Sequence, residues 1–426
     1  MARFHRLAKE GSWILVSQIV SVLGSLVLVK VLTGYLEPAE YGHLALGLTV
    51  AGFVNQVVMV GLIVGIGRFY SIATEDGDLP GYIRASFRLL ANATLVVIAI
   101  AIVLLAVLFS FGYFQWLGLV AAALVFSVVS GYSTSLNGMQ NAARQRVAVA
   151  FISGVDALLK ILLVIGVMLL LERSGTAVII AYTMSLLIVM GAQLLLLRRL
   201  GSPEAKKSQL NKNWEMKIWA YAYPFSSWGA FTWAQQASDR WALQQFGSAD
   251  EVGLYAVLFQ LGYVPLGVVT SFAISLIGPI LFQRSGAASD HTRNTSVHLI
   301  AWRITISGLL ITTIAFLVTL SMHEWIFEIL VSAKYRSVSY LLPWMVLAGG
   351  NFAACQMLSL KLMSEMKSRA MTAAKILTAS LCVGMNIFGA LWFGVQGVVG
   401  ALVTFSFIFL VWMVIIARHP PRGFAH

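Results

Sequence analysis

Residues 89–109 read LLANATLVVIAIAIVLLAVLF, a run without a single charged side chain. A helix needs about 20 mostly apolar residues to cross a bilayer, because hydrocarbon offers no water to backbone N–H and C=O groups. The whole chain shares this character, with 59% hydrophobic and 11% charged residues among 426. Soluble domains have roughly 45–50% and 25%. The sequence therefore predicts an all-α integral membrane protein.

The apolar segments predict about twelve membrane-spanning helices. They are 12–33, 43–67, 86–109, 114–133, 147–171, 176–197, 217–245, 252–282, 296–320, 338–361, 372–393 and 395–417. An even number places both termini on one side. That side, together with the adjoining ends of the spans, holds 23 of the 29 Lys and Arg residues, and the other side holds Arg173, Lys334 and Arg336. Because cytoplasmic connections collect Lys and Arg, both termini are predicted to be cytoplasmic.

A short motif occurs twice in the chain. Residues 40–45 read EYGHLA and open the second span, and residues 251–256 read EVGLYA and open the eighth, 211 positions later. Six spans in each half give the two halves the same orientation, which is typical of parallel repeats. We therefore predict an N-terminal six-helix lobe (1–200), a cytoplasmic connector (201–216) and a C-terminal six-helix lobe (217–426), with a central cleft opened by rocking.

The usual enzyme and nucleotide-binding motifs are missing. No glycine-rich loop ends in Gly-Lys-Ser/Thr, which excludes this type of ATP site. His323-Glu324 begins a zinc-helix pattern, but Phe327 stands where the second histidine belongs. The net charge of +12 lies between the spans, which favours lipid headgroups as partners over nucleic acid. We predict no enzyme activity, metal or cofactor.

Ionisable residues at membrane depth are the main functional candidates. A charge there costs about 2.5–3.5 kcal/mol on insertion scales, so it normally faces water or a partner. The candidates are Lys30, Arg68, Asp156, Lys160, Asp239 and Arg240. Asp156 and Lys160 are four residues apart on one helical face, so they either neutralise each other or line a cavity. Lys30 can also extend to the headgroups from the outer end of its span.

The seventh predicted span is the least lipid-like. Its polar and aromatic residues form two neighbouring stripes, Trp228, Thr232, Gln235 and Asp239 on one and Trp233, Gln236 and Arg240 on the other. Amides, a guanidinium and flat rings suit a ligand with hydroxyls and an anionic group. The alternative is that Gln and Ser side chains only join this helix to its neighbours.

Several segments resemble the polysaccharide transporter family, the Wzx-type flippases of the superfamily that also contains MATE exporters and MurJ. They are 36–42 (LEPAEYG), Tyr223-Pro224, Ser238-Asp239-Arg240, Phe246-Gly247 and 252–256 (VGLYA). The resemblance implies a MATE-like, inverted-V arrangement of two lobes. It also implies transfer of undecaprenyl-pyrophosphate-linked oligosaccharide, such as an O-antigen or exopolysaccharide repeat unit, across the bacterial inner membrane by alternating access.

The resemblance further implies a cationic cavity, onto which Lys30, Lys160 and Arg240 map. Asp156 and Asp239 stand beside two of these bases and make the cavity less positive. The complete set of predicted substrate-binding residues is Arg240, Lys30, Lys160, Asp239, Asp156, Gln235, Gln236, Trp228, Trp233 and Arg68. Coupling to H⁺ or Na⁺ is possible in such a family, and its expected partners include membrane lipids, a glycan polymerase and chain-length proteins.

Three other classes compete with this interpretation. A MATE-like cation-coupled antiporter has the same fold, and Asp156 or Asp239 can supply its acidic site. A major facilitator transporter matches the span count, but its basic motif between spans 2 and 3 is missing. A glycan-lipid polymerase or ligase normally carries a long periplasmic loop, whereas the longest outward connection predicted here, 321–337, is short.

Overall fold

The computed structural model describes residues 2–200, 213–271, 273–274, 291–364 and 368–418. Within these ranges the regular secondary structure is helical, without a strand. The predicted all-α class is therefore confirmed.

The helices are numbered here in chain order. They are α1 (Ala2–Tyr35), α2 (Pro38–Glu75), α3 (Leu79–Ser110), α4 (Phe114–Ala142), α5 (Arg146–Leu170), α6 (Gly175–Leu200), α7 (Trp214–Phe246), α8 (Ala249–Ser271), α9 (His291–Leu330) and α10 (Leu342–Ser364), followed by Ser368–Arg418, which comprises α11 (368–393) and α12 (395–418). Each predicted span falls on one of these helices, and the end of the eighth span, past residue 274, lies outside the described residues.

Gly394 separates the last two helices. Its φ of 54° and ψ of −137° lie in a region that glycine enters without steric cost, and this single residue interrupts a helix of 51 residues. The predicted boundary between spans 11 and 12 falls at the same residue and is confirmed.

Most of these helices are long and apolar enough for a bilayer. Within the described ranges nine stretches meet this condition, joined by the shorter apolar helix Ile19–Tyr35. One stretch, Ile376–Arg418, contains both α11 and α12. Helix α7 is not among them because amides and charges interrupt it. The chain is a multi-pass membrane protein.

Several helices are longer than the spans predicted for them. Helix α3 begins at Leu79, where the Asp78 carboxylate accepts a hydrogen bond from Gly81 N at 3.2 Å and caps the first turn. Helix α9 continues to Leu330 and is followed by a 3₁₀ segment, Ala333–Leu341. Most of the outward connection predicted at 321–337 is therefore helical, and its place outside the membrane stays a prediction. Apolar length marks only the hydrocarbon-embedded part of a helix.

The chain forms two compact units. Unit 1 contains Met1–Leu36 and His43–Ala234, and unit 2 contains Glu37–Gly42 and Gln235–His426. In unit 1, α1 packs on α5, α5 on α6, α6 on α4, and α4 on α2 and α3. In unit 2, the largely buried α10 contacts α8, α9 and α11–α12.

Both units take segments from across the predicted lobe boundaries. The first part of α7, up to Ala234, packs in unit 1, and the start of α2, Glu37–Gly42, packs in unit 2. Most of the predicted connector (201–212) lies outside the described residues. The lobe limits at residues 200 and 217 stay a prediction.

The glycines of the two copies of the repeated motif meet inside unit 2. A β-carbon on Gly42 would overlap the carbonyl oxygen of Ala249, and one on Gly253 would overlap that of Pro38. The starts of α2 and α8 therefore cross with their backbones in contact. Only glycine at both positions allows this approach.

Candidate functional site

Unit 1 contains the predicted pair of α5. Lys160 Nζ lies 2.6 Å from Asp156 Oδ2, and Ser185 Oγ on α6 donates to Asp156 Oδ1 at 2.8 Å. The ammonium group also lies 5.9 Å from the ring centre of Tyr182. Both carboxylate oxygens therefore have a donor, and the base has its counter-charge. The two opposite charges therefore pair with each other, and all of these contacts come from two helices, α5 and α6.

Unit 2 contains the second acid, which is far more enclosed. Asp239 is 3% exposed, its Oδ2 accepts a hydrogen bond of 2.6 Å from the Tyr255 hydroxyl, and its Oδ1 accepts one of 2.7 Å from the backbone N–H of Arg240. Each of its two oxygens therefore already accepts a hydrogen bond from the protein. Tyr255 lies on α8, within the repeated motif, so the motif positions a site residue.

Arg240 is held differently from Lys160. Its guanidinium Cζ lies 4.5 Å from the ring centre of Phe259, and Nη1 donates to the carbonyl oxygen of Gln236 at 3.1 Å. Nη1 is 3.7 Å from Asp239 Oδ1, close enough for attraction but too far for a hydrogen bond. The side chain is 14% exposed. A guanidinium has five N–H donors, and its other nitrogens have no hydrogen-bond partner among the described residues.

The other predicted residues of α7 are divided between the units. Trp233 belongs to unit 1, where its indole N–H donates to the Thr49 carbonyl oxygen at 2.7 Å and its ring meets Phe53 edge-on. Gln235, half-buried, and Gln236, exposed, belong to unit 2. The side chain of Trp228 lies outside the described residues.

The two remaining predicted bases are exposed and belong to unit 1. Lys30 lies near the end of α1, and Arg68 lies on α2. Their assignment to substrate binding stays a prediction, as does that of the other eight residues. The structure therefore brings together Asp156 with Lys160 and Asp239 with Arg240, each pair within its own unit.

Sequence reasoning missed several residues around these pairs. Ser185 and Phe259 had no signal beyond ordinary composition, whereas Tyr255 stands in the repeated motif. Lys361 was a missed buried charge: it is 1% exposed, and its ammonium donates to the carbonyl oxygen of Ala417 at the end of α12. A cation is favourable at that helix terminus. Its position as the last residue of the tenth predicted span was the available signal.

Comparison with solved structures shows the fold. The lipid II flippase MurJ, in an inward closed conformation, superimposes with a TM-score of 0.69 at 9% identity, covering 97% of this chain and 88% of that one. An outward-facing multidrug resistance MATE transporter of the MOP superfamily gives 0.61 at 16% identity, covering 96% and 95%. The Vibrio cholerae MATE transporter VcmN in its bent form gives 0.58 at 15%, covering 98% of both chains.

Comparison of sequences gives the family. No curated protein matches the chain. The family model described as polysaccharide biosynthesis protein matches residues 7–285, well over half of the length. The resemblance noted from the motifs is thereby confirmed, and the chain belongs to the polysaccharide biosynthesis protein family.

Proposed function

We propose that this protein is a flippase that moves an undecaprenyl-pyrophosphate-linked oligosaccharide across the bacterial inner membrane by alternating access. The family, the fold shared with MurJ and MATE transporters, and the charged residues inside the helices support this proposal. A cargo with a pyrophosphate and a glycan needs cationic and hydrogen-bonding groups at membrane depth.

The observation that carries the proposal is that N–H groups of the Arg240 guanidinium have no hydrogen-bond acceptor among the described residues. Each oxygen of its partner Asp239 already accepts a hydrogen bond from another donor, so Asp239 does not take up the N–H groups of the guanidinium. An arginine inside a membrane protein with N–H groups that have no acceptor is suited to an incoming anion. Arginine forks onto two phosphate oxygens, whereas lysine offers a point charge. In the proposed mechanism Arg240 binds the pyrophosphate and the stacked Phe259 holds its orientation.

The alternative of a cation-coupled drug antiporter is less well supported. Such a site uses a membrane carboxylate to bind the cation. Each oxygen of Asp239 accepts a hydrogen bond, and in Asp156 one oxygen bonds Lys160 and the other Ser185. Neither acid has an oxygen without a donor.

The test is glycan export in the host strain with the chromosomal gene deleted. We expect Arg240→Lys to weaken export and Arg240→Gln to nearly abolish it, at unchanged protein level on a blot. The matched control is Arg336→Gln, which removes an exposed cation 3.7 Å from Glu328 and should leave export intact. Wild-type export by Arg240→Gln would refute the assignment of the pyrophosphate to this residue.

The proposed orientation places both termini in the cytoplasm, and the 23-to-3 division of Lys and Arg supports it. A reporter fused after Arg199 should be active as a cytoplasmic fusion, and one after Arg173 as a periplasmic fusion. The opposite result at either position would contradict this topology.

A further inference from the structure

Helices α2 and α8, which open with the two copies of the repeated motif, each contain one π-helical turn. The turns are Asn55–Met59 and Phe259–Tyr263, and in each the backbone N–H that follows the turn bonds the carbonyl oxygen five residues earlier. Such turns are rare, appear singly inside α-helices and are frequent at functional sites. Two turns at mid-helix in repeat-related helices therefore deserve a functional explanation.

Close helix contacts support both turns. In unit 1, a β-carbon on Gly229 of α7 would overlap the carbonyl oxygen of Gln56. In unit 2, a β-carbon on Gly262 would lie 2.7 Å from Met345 Cβ, and one on Gly349 would lie 3.0 Å from Tyr263 Cα. Glycine lets the neighbouring helix press against each turn, so the position of the turn's side chains is fixed by packing.

The turns carry amide side chains. Asn55 and Gln56 lie on the first turn and Gln260 on the second, all three half-buried. None of the three amides has a hydrogen-bond partner in the part of the chain that the structure describes. Both turns lie within membrane-spanning stretches, Pro38–Glu75 and Ala249–Ser271. Hydrocarbon would leave every donor and acceptor of these amides unsatisfied at a cost of several kcal/mol each.

The aromatic rings of the second turn are already occupied. Phe259 has Arg240 over one side and stacks on Tyr263 at 4.6 Å, and Tyr263 in turn lies 5.8 Å from Phe352. These contacts hold the turn and the guanidinium in place and engage both faces of the Phe259 ring. Recognition at the turn falls to the amide of Gln260.

We propose that the two π-helical turns are saccharide-contacting sites, one in each unit, in which Asn55, Gln56 and Gln260 hydrogen-bond sugar hydroxyls. This inference rests on the proposed flippase function and assigns its glycan specificity. An amide offers two donors and an acceptor, which matches a hydroxyl that both donates and accepts. Gln260 lies next to Phe259, which holds Arg240, so a glycan bound there adjoins the proposed pyrophosphate site.

The first experiment asks whether the amides face a polar space. In a Cys355→Ala/Cys382→Ala background, Asn55→Cys and Gln260→Cys are exposed to a charged methanethiosulfonate reagent on both sides of proteoliposomes. We expect labelling at both positions. The lipid-facing control is Ile314→Cys on α9, 62% exposed, which should stay unlabelled. Reactivity at Asn55 and Gln260 no higher than at Ile314 would overturn the proposal.

The second experiment asks whether the ligand is a saccharide. Binding of undecaprenyl pyrophosphate alone is compared with binding of the same lipid carrying the repeat unit, purified from the deletion strain. Gln260→Leu and Asn55→Leu should weaken binding of the glycosylated lipid about threefold to tenfold, the range of one hydrogen bond, and leave the bare lipid unaffected. The control is Gln396→Leu, whose amide bonds the Tyr340 hydroxyl at 2.6 Å and should change neither.

The outcomes separate the two proposals. Equal losses for both lipids in Gln260→Leu and Asn55→Leu would make the amides structural and overturn the saccharide sites alone. Absence of binding of either lipid to wild-type protein would refute the proposed function and the ligand assigned here, whereas the labelling result would still stand. Size-exclusion profiles of each variant exclude misfolding as the cause.

Discussion

The two acid–base pairs inside the helices have the same formal charge but opposite consequences. Lys160 Nζ lies 2.6 Å from one carboxylate oxygen of Asp156, and the Ser185 hydroxyl donates to the other. Asp239 and Arg240 are adjacent, and their closest charged atoms are 3.7 Å apart. In the first pair the two charges neutralise each other. In the second, the hydrogen bonds to the acid come from Tyr255 and from the backbone, so the guanidinium of Arg240 keeps its hydrogen-bonding capacity.

The difference follows from helical spacing. Residues four apart share a face and meet directly, with acid before base the favourable order. Neighbouring residues point about a quarter-turn or more apart, so Asp239 turns to Tyr255 while Arg240 turns to Phe259. A charge at membrane depth is therefore a functional candidate when its partner takes its hydrogen bonds from other groups.

The largest effect on stability is expected in the α5 pair. Lys160→Gln or Asp156→Asn alone leaves an uncompensated charge, which costs about 3–5 kcal/mol in a fully buried pair. The side chains here are 25% and 18% exposed, so we expect part of that cost. The double variant should recover the folded protein, measured as the monodisperse fraction after extraction from membranes.

An exposed ion pair provides the control for that prediction. Arg88 Nη1 lies 2.8 Å from Glu215 Oε1, with side chains 61% and 35% exposed. Arg88→Gln should change the free energy of unfolding by about 0–1 kcal/mol. If the double variant in α5 loses as much folded protein as either single variant, the pairing explanation is wrong.

A smaller effect is expected from the hydroxyl that supports each acid. Tyr255→Phe leaves a buried carboxylate oxygen without its donor and should cost about 1–3 kcal/mol. Ser185→Ala should cost about 0.5–1.5 kcal/mol, because Asp156 is more accessible and keeps Lys160. Thermal unfolding of the purified variants in detergent measures both. An equal or larger loss for Ser185→Ala would contradict the greater dependence of Asp239 on its protein donors.

Much of this architecture was predictable because apolar length and glycine positions are local properties. Hydropathy located the spans, and the break at Gly394 coincided with a predicted boundary. The i, i+4 spacing indicated the contact of Asp156 with Lys160. Helix ends were harder to predict, because capping by Asp78 and the 3₁₀ segment after α9 depend on polar residues beyond the hydrocarbon.

The surroundings of Arg240 were not predictable in the same way. Its contact with Phe259 and the bond from Tyr255 to Asp239 join α7 to α8, and nothing in one helix fixes how its neighbour is rotated. The π-helical turns are also set by packing, through Gly229, Gly262 and Gly349. Stripes on α7 grouped Trp233 with Arg240, whereas the structure assigns the two residues to different units.

The measurement that tests the central claim most directly is binding of undecaprenyl pyrophosphate to purified wild-type, Arg240→Gln and Lys160→Gln protein, each corrected for its folded fraction. Hydrogen bonds to charged groups are worth about 1.5–3 kcal/mol, and 1.4 kcal/mol is tenfold in Kd, so Arg240→Gln should weaken binding at least about tenfold. Lys160→Gln should bind like wild type. Unchanged binding by Arg240→Gln, or an equal loss in Lys160→Gln, would contradict the account.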